Sequence, residues 1–224
     1  MLPSAVSNIV SHVEDPDLVA RRRSQFVEAA SDLFARKGFH KTTIRDIAQR
    51  AGLSTGLIYS YVQSKEDVLF LVIENVLNSY LHEIPRALEN VDGPIPRFCA
   101  ILRAYCQVIG SKPQATELAY RETKSLNADY REVIKKMELD TNQMLIQGVD
   151  DCIAAGHFRP VNAELVAYRI VLLAHGWALK AWRLKQFITL DEYIEEGLDL
   201  FLNGLLTPAG WRQYRKMTAA GGCQ

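Results

Sequence analysis

The stretch from Thr42 to Lys65, TTIRDIAQRAGLSTGLIYSYVQSK, decides the fold of this chain. In its first half, apolar residues recur at the spacing of one helix face, and they are Ile44, Ile47, Ala48 and Ala51. Thr43 and Asp46 have the spacing of a capping box at the start of that helix. Gly52 can adopt the positive φ of a sharp turn, and Ser54 can cap a second helix. The stretch therefore predicts a helix-turn-helix.

The second helix of this motif presents a face of small and hydroxyl-bearing side chains, which are Ser54, Thr55, Gly56, Tyr59 and Ser60. Such a face suits the major groove of DNA, where base edges and phosphates are both within reach. We therefore predict that this helix reads DNA. We expect phosphate contacts from Thr43, Tyr59 and Lys65. We expect contacts at or near base edges from Arg45, Ser54, Thr55 and Gly56.

From about Arg22 to Val76 the chain resembles the TetR/AcrR family of one-component transcriptional repressors. The resemblance rests on the run GFHKTTIRDIAQRAGLSTGLIYSYVQSKEDVL, residues 38–69. Val62 departs from the pattern, because the family usually has an aromatic residue there. The resemblance implies an all-α fold. It would combine an N-terminal three-helix helix-turn-helix DNA-binding domain with a larger C-terminal helical domain for ligand binding and dimerisation.

Charge is distributed unevenly along the chain. The whole sequence has 26 basic and 26 acidic residues, and this balance by itself does not indicate nucleic-acid binding. Residues 21–65 contain nine basic and three acidic residues, so this part carries six net positive charges. Binding to DNA phosphates requires such a cationic part. Within it, the run Arg21-Arg22-Arg23 either reaches phosphates or the minor groove, or remains a solvated charge run.

Breaks in the helical pattern predict four segments. Residues 1–18 lack a sustained period and contain two prolines, so we expect a flexible arm. Residues 19–66 form the predicted DNA-binding domain, and residues 67–206 form the predicted effector-binding and dimerisation domain. Residues 207–224 are expected to be a tail.

The last two long helices are predicted at Asn162–Phe187 and Asp191–Leu206. The first has apolar residues on two sides, so it needs two packing partners. In the resembled family, the last two long helices pair with their copies across a two-fold axis, and we predict such a homodimer here. The residues expected at or near the interface are Trp177, Ala181, Leu198 and Phe201. Burial within one protomer is the alternative explanation of the same pattern.

A ligand pocket is predicted among the middle helices, because a wide apolar interior there contains a few polar groups. The candidate residues are Tyr105, Tyr120, Arg121, Lys124, His175 and Trp177. An ordinary core with solvated helix faces would have the same composition. The run AYRETKSL, residues 119–126, resembles a stretch of TetR-type regulators that respond to fatty or aromatic acyl-CoA thioesters. That short resemblance implies an anionic effector, which Arg121 or Lys124 could bind.

Signatures of enzymes and metal sites are absent from the sequence. The chain has no Gly-x-Gly-x-x-Gly, Walker, His-Glu-x-x-His or Gly-x-Ser-x-Gly motif. No zinc-type spacing connects its four cysteines, which are Cys99, Cys106, Cys152 and Cys223. We therefore predict no enzymatic activity, no cofactor and no metal. The longest uncharged apolar run, Ile170–Leu179, is far shorter than a bilayer span, and no signal-peptide pattern is present, so we predict a cytoplasmic protein.

These observations favour a homodimeric transcriptional repressor that binds palindromic operator DNA and is released by a small hydrophobic effector, such as an acyl-CoA. A DNA-binding architectural protein without an effector is the alternative. A helical-bundle enzyme would require a convergent acid-base pair or a metal cluster, which the spacing does not indicate.

Overall fold

The computed structural model describes Ile9 and residues 11–219, and over these residues it contains eleven α-helices and one short 3-10 helix. Residues 1–8, 10 and 220–224 lie outside the described part. They include much of the predicted arm, the end of the predicted tail and Cys223. The predicted all-α class is confirmed.

The first four helices contain the predicted helix-turn-helix, and they are α1 (Pro16–Lys37), α2 (Ile44–Ala51), α3 (Thr55–Tyr59) and α4 (Lys65–Ala87). Helix α1 begins inside the predicted arm because Asp15 caps it. The Asp15 carboxylate accepts hydrogen bonds from the backbone N–H groups of Asp17 (3.0 Å) and Leu18 (3.1 Å). Pro16 occupies the first helical turn, where its missing N–H is not needed.

Seven further helices follow within the described residues, with the 3-10 helix Thr123–Ser125 between the second and third of them. They are α5 (Pro94–Ser111), α6 (Pro113–Glu122), α7 (Ala128–Ala154), α8 (Ala163–Leu179), α9 (Ala181–Leu184), α10 (Leu190–Leu205) and α11 (Pro208–Ala219). The helix predicted at Asn162–Phe187 is interrupted at Lys180, whose φ of −119° and ψ of 16° are not helical. Part of the predicted tail is helical, because Thr207 Oγ1 accepts a hydrogen bond from Gly210 N–H (3.0 Å) and caps α11.

The chain divides into two compact units whose limits differ from the predicted segments. Within the described residues, unit 1 comprises the chain up to residue 78 together with residues 114–137, and unit 2 comprises residues 79–113 and 138–219. Helices α4 and α7 each begin in unit 1 and end in unit 2. The boundary predicted after residue 66 lies at the start of α4, whereas unit 1 extends further along that helix and also includes most of α6.

Unit 1 has a core shared by the helix-turn-helix and residues 114–137. Its largest buried side chains include Phe26, Phe34, Ile47, Ile58, Leu69 and Phe70. Tyr130 of α7 stacks on Phe70 with ring centroids 4.4 Å apart, and its hydroxyl donates to Asp67 Oδ1 (2.8 Å). The start of α7 is therefore part of the support of α4.

Unit 2 is built around α5, which packs against α8 and α10. Arg103 of α5 forms an ion pair with Glu195 of α10, with 2.6 Å between Nε and Oε1. A Cβ atom at Gly197 would lie 2.5 Å from Cδ2 of Leu173, so a larger residue there would displace Leu173. Three buried free thiols also lie in this unit, and they are Cys99, Cys106 and Cys152.

A buried carboxyl group of α4, that of Glu74, lies in unit 1 within electrostatic range of the half-buried Arg23 of α1. Glu74 is 7% exposed, and its Oε1 atom has no hydrogen-bond partner among the described residues. Burial raises the pKa of Glu74 to about 7, although the charge of Arg23 acts in the opposite direction. Arg23 in turn donates from Nη2 to the carbonyl oxygen of Tyr61 (3.0 Å), just after α3. Arg23 therefore connects α1 to the end of the helix-turn-helix.

We expect Glu74→Gln to stabilise the protein increasingly as the pH rises from 4.5 to about 7. The raised pKa means that a protonated Glu74 favours folding, and this contribution is present below the ordinary pKa and is lost as the pH passes the raised one. Glutamine has no charge to bury, so the free energy of unfolding should rise relative to wild type by at most about 3 kcal/mol.

Urea unfolding at about pH 5 and about pH 8 measures this difference. Glu28→Gln, on the exposed side of α1, is the control. A difference between Glu74→Gln and wild type that did not change with pH would contradict the expectation.

Candidate nucleic-acid interface and ligand clefts

The connection from α2 to α3 has helix-turn-helix geometry. Thr43 Oγ1 accepts a hydrogen bond from Asp46 N–H (3.1 Å), and Asp46 Oδ2 accepts one from Thr43 N–H (2.9 Å). Gly52 adopts a φ of 67° and a ψ of 31°, the left-handed region in which other residues are strained. Ser54 Oγ accepts from Leu57 N–H (3.1 Å) at the start of α3. The predicted caps and the predicted turn glycine are confirmed.

The face of α3 that is predicted to contact DNA is exposed. Ile58, Tyr61 and Val62 are buried and hold this helix against unit 1. The predicted base-edge residues Arg45, Ser54 and Gly56 are exposed, Thr55 is half-buried, and Tyr59 is 46% exposed. No atom outside the local backbone lies within 4 Å of the position that a Cβ would take at Gly56. These residues are accessible to a duplex, and their DNA contacts remain predictions.

Lys65, for which we predicted a phosphate contact, binds backbone carbonyls of its own chain. Its Nζ donates to the carbonyl oxygens of Phe39 (2.8 Å), His40 (3.2 Å) and Thr42 (2.9 Å). An ammonium has three N–H donors, so these bonds use its full capacity. Lys65 therefore anchors residues 39–42, which we call the 39–42 loop, between α1 and α2. A phosphate contact by Lys65 is still a prediction, and it would have to replace or share one of these bonds.

Two of the three arginines that precede the helix-turn-helix have partners within the chain. Arg23 donates from Nη2 to the carbonyl oxygens of Ile9 (2.7 Å) and Tyr61 (3.0 Å), and Arg22 donates to Gln25 Oε1 (3.0 Å). Arg21 is exposed. The structural role of Arg23 was not visible in the sequence, because its partners are backbone carbonyls distant along the chain.

A buried carboxylate of α6 lies beside the 39–42 loop. Glu122 is 6% exposed, and its Oε2 lies 3.6 Å from His40 Nε2 and accepts from Ser125 Oγ (3.1 Å). Burial lowers the pKa of Lys65, and the negative charge of Glu122 partly opposes that effect. Sequence reasoning missed this role of Glu122, because helical spacing does not show that α6 packs in the same unit as the helix-turn-helix.

The predicted ligand-pocket residues divide between the two units. Tyr120, Arg121 and Lys124 are exposed residues of unit 1, and Arg121 pairs with Glu117 and Glu122 nearby on the chain. Tyr105 and Trp177 are buried in unit 2, and His175 is half-buried there. The structure therefore does not collect the six residues within one unit.

Polar side chains cluster around Tyr105 in the core of unit 2. The ring of Tyr105 stacks on that of Tyr80 at 4.2 Å, and its hydroxyl donates to Asn142 Oδ1 (3.3 Å). Asn142 Nδ2 has no hydrogen-bond partner in the described part of the chain, although this residue is 1% exposed. The equally buried Tyr80 hydroxyl has only an interaction of poor geometry with the neighbouring Tyr105. Burial lowers the pKa of the neighbouring His175 to about 4, so its imidazole is neutral at pH 7. We call these four residues the polar cluster.

An apolar stripe is exposed on α8 and α10. Leu165, Leu172 and Leu179 recur every seven residues on α8 and are 49%, 64% and 38% exposed. Leu200 of α10 is 72% exposed, and it lines a groove of about 500 Å³ together with Leu172 and Phe201. Trp177 and Leu198 are 4% and 2% exposed, so these two predicted interface residues belong to the core of unit 2. The other two, Ala181 and Phe201, are half-buried.

Known proteins with similar sequences are transcriptional regulators. The family model described as "Bacterial regulatory proteins, tetR family" matches residues 26–72, and the model "Tetracyclin repressor-like, C-terminal domain" matches residues 91–205. The HTH-type transcriptional regulator HbdR of Aromatoleum sp. (strain CIB) is 47% identical over 207 residues, which cover 92% of this chain and 90% of HbdR. The HTH-type transcriptional repressor KstR2 of Mycobacterium tuberculosis (strain CDC 1551 / Oshkosh) is 27% identical over 196 residues, with 84% and 94% covered.

A solved structure of AibR in complex with isovaleryl coenzyme A and operator DNA has a similar fold. Its TM-score is 0.68 at 18% identity, with 80% of this chain and 97% of AibR covered. At this identity the similarity shows a common fold alone. Within the described residues, none of the helices is long and apolar enough to cross a membrane.

We expect Lys65→Ala to weaken binding to every DNA sequence because the 39–42 loop loses its anchor. Loss of hydrogen bonds from a charged group should also lower the free energy of unfolding by about 2 kcal/mol. If Lys65 acts only through the loop, the slope of log affinity against log salt should equal that of wild type.

Fluorescence anisotropy over a salt series measures the DNA affinity and its salt slope, and thermal unfolding measures the stability. Lys41→Ala, an exposed lysine of the same loop, should leave the stability unchanged. A salt slope reduced by about one unit in Lys65→Ala would support the phosphate contact instead.

Proposed function

Because this chain belongs to the TetR family of bacterial regulatory proteins, we propose that it is a repressor that binds palindromic operator DNA as a homodimer and is released by a small hydrophobic effector. The observation that carries the proposal is the helix-turn-helix, whose α3 is fixed by buried apolar residues on one side and exposes small polar residues on the other. Arg45, Ser54, Thr55 and Gly56 would lie near base edges. Thr43 and Tyr59 would contact phosphates.

The exposed stripe of α8 and α10 supports the homodimer. Leucines spaced seven residues apart form the seam along which helices associate in bundles, and exposure of Leu172 and Leu200 to water is unfavourable in a monomer. A second copy fits this surface, because a two-fold axis brings the same apolar patch onto itself. Two recognition helices related by that axis would enter successive major grooves about 34–36 Å apart, or a multiple of that distance.

The polar cluster supports an effector site in unit 2. Buried polar atoms without partners are unfavourable, and a ligand that supplies the missing partners recovers that free energy. Asn142 Nδ2 is a donor, and the Tyr80 hydroxyl can donate as well, so a carbonyl oxygen is a suitable ligand atom. A thioester or an acyl group on an apolar body has this chemistry. The acyl-CoA in the AibR complex belongs to the same class of compound.

Helix α4 could transmit a structural change from the proposed effector site to the DNA-binding helices. It begins with Lys65 at the 39–42 loop and carries Tyr80 in its second half. An effector that shifts the second half of α4 would move its first half and change the distance between the two recognition helices. Release requires that the effector binds the DNA-incompetent state more tightly, and a hundredfold preference corresponds to about 2.7 kcal/mol.

Reciprocity tests this proposal directly. Operator DNA must weaken effector binding by the same factor by which the effector weakens operator binding. We would find a ligand by thermal shift against acyl-CoAs, free fatty acids and lipophilic drugs. Its affinity would then be measured by calorimetry with and without saturating operator. If every ligand binds with the same affinity in the presence and absence of operator, no ligand induces release from DNA. The chain would then be a DNA-binding protein without an effector, which is the architectural alternative.

The dimer has a separate test. We expect Leu200→Asp to give a folded monomer with an affinity for the operator at least about tenfold lower, because an unpaired charge cannot be buried at the seam. Leu139→Asp is the matched control, since Leu139 of α7 is 55% exposed and lies outside the stripe. Analytical ultracentrifugation reports the mass of each variant. A stable dimer of Leu200→Asp would exclude this surface as the dimer interface. Leu198→Asp, by contrast, should unfold the protein because Leu198 is buried.

A further inference from the structure

A cleft in unit 2 lies between the ends of α4 and α5. Its volume is about 570 Å³, within the range of small-molecule sites. Apolar atoms come from Ala87, Ala104 and Val108, and polar groups come from both helices. The polar residues are Ser79, Glu83, Arg86, Gln107, Ser111 and Lys112. The cleft therefore combines an apolar part with polar groups from both helices.

Two cations line this cleft. Lys112, just after the end of α5, donates from Nζ to Ser79 Oγ of α4 (2.7 Å), so its ammonium is held at the junction of the two helices. Burial lowers the pKa of Lys112, and the charge of Glu83 partly opposes this effect. Arg86 is exposed, and its Nη1 lies 3.9 Å from Glu83 Oε2, which is too far for a hydrogen bond. A partly desolvated cation in a cleft is a frequent mark of a binding site.

The geometry points to this cleft as a binding site for the anionic group, a phosphate ester or a carboxylate, of an amphipathic ligand. Lys112 and Arg86 supply the positive charge. Ser79 and Gln107 supply neutral hydrogen-bonding groups, and the apolar part of the cleft receives the hydrocarbon next to the anion. This inference rests on the proposed function, because the ligand is taken to be the effector.

The cleft lies on the same two helices, α4 and α5, as the two tyrosines of the polar cluster. Ser79 lines the cleft, and the next residue, Tyr80, belongs to the polar cluster. The same relation holds on α5 between Ala104 and Tyr105. Neighbouring helix positions point about 100° apart, so the two tyrosines face the core while Ser79 and the largely buried Ala104 border the cleft. A ligand with a carbonyl group and a more distant anion matches this arrangement.

Glu83 makes it possible to test whether the ligand group in this cleft is an anion or a cation. Its carboxylate lines the same cleft and repels an anion, whereas it would attract a cationic ligand. Removing the charge of Glu83 should therefore strengthen binding of an anion. Removing the charge of Lys112 or Arg86 should weaken it. A site for a cation would show the opposite signs for all three variants.

We would measure binding of octanoyl-CoA, octanoate and inorganic pyrophosphate by calorimetry to the wild-type protein and its variants. We expect Lys112→Gln and Arg86→Gln each to weaken binding by about tenfold, the size of one charge-assisted contact. Glu83→Gln should tighten binding, and Lys136→Gln, an exposed lysine of α7, should not change it. Thermal unfolding checks that each variant folds. Because Arg86 is exposed, Arg86→Gln tests the same site even if Lys112→Gln does not fold.

The probes distinguish the source of the anion. If the variants change the affinities for octanoyl-CoA and pyrophosphate, the bound anion is a phosphate ester. If they change the affinity for octanoate, it is a carboxylate. Absence of binding by all three probes to wild type, or affinities that the Lys112, Arg86 and Glu83 variants leave unchanged, would overturn the assignment. Operator binding is measured in parallel. Failure to bind any operator would overturn the proposed function, whereas effector-induced release that survives in Lys112→Gln and Arg86→Gln with unchanged ligand affinity would overturn the cleft alone.

Discussion

The geometry of the DNA-binding unit depends on one ammonium group among three carbonyl oxygens. Phe39, His40 and Thr42 lie outside any helix, so their carbonyls lack helical partners, and Lys65 donates a hydrogen bond to each of them. Because Lys65 is the first residue of α4, the same bonds fix the start of α4 to the loop that leads into α2. Helix α3 lies between α2 and α4 in the sequence, so its position follows from both. A cation in a DNA-binding region can thus serve the architecture of the protein.

Local interactions explain which parts of the fold were predictable. The capping box of Thr43 with Asp46 and the left-handed Gly52 involve residues close in sequence, so their pattern shows directly in the chain. The two apolar sides of α8 were equally visible, but the pattern could not show which side faces the core. The structure shows that the Leu165–Leu172–Leu179 side is exposed and that Trp177 is buried. Similarly, Glu122 and Lys112 gain their surroundings from residues distant in sequence, which no helical period records.

The core of unit 2 is less uniform than its apolar composition suggests. Stacked tyrosines, an amide and a neutral imidazole occupy positions that a stability-optimised core would fill with hydrocarbon. Each buried polar atom without a partner lowers stability by about 1–3 kcal/mol. The proposed effector would offset this cost, because a ligand that satisfies these atoms stabilises the state to which it binds. If the effector binds as proposed, stability and ligand specificity are in opposition at Tyr80 and Asn142.

Unit 1 is assembled from two separate stretches of the chain, with residues 79–113 of unit 2 between them. On the ribosome, the helix-turn-helix emerges long before Glu122 and Tyr130, which pack beside His40 and Phe70. The nascent DNA-binding unit therefore remains incomplete until α5, α6 and the start of α7 have been synthesised. Recombination between related genes meets the same constraint. A crossover after residue 78 would join a DNA-binding unit from one parent to the supporting α6 and α7 of another, so this unit is not inherited as a single exchangeable module.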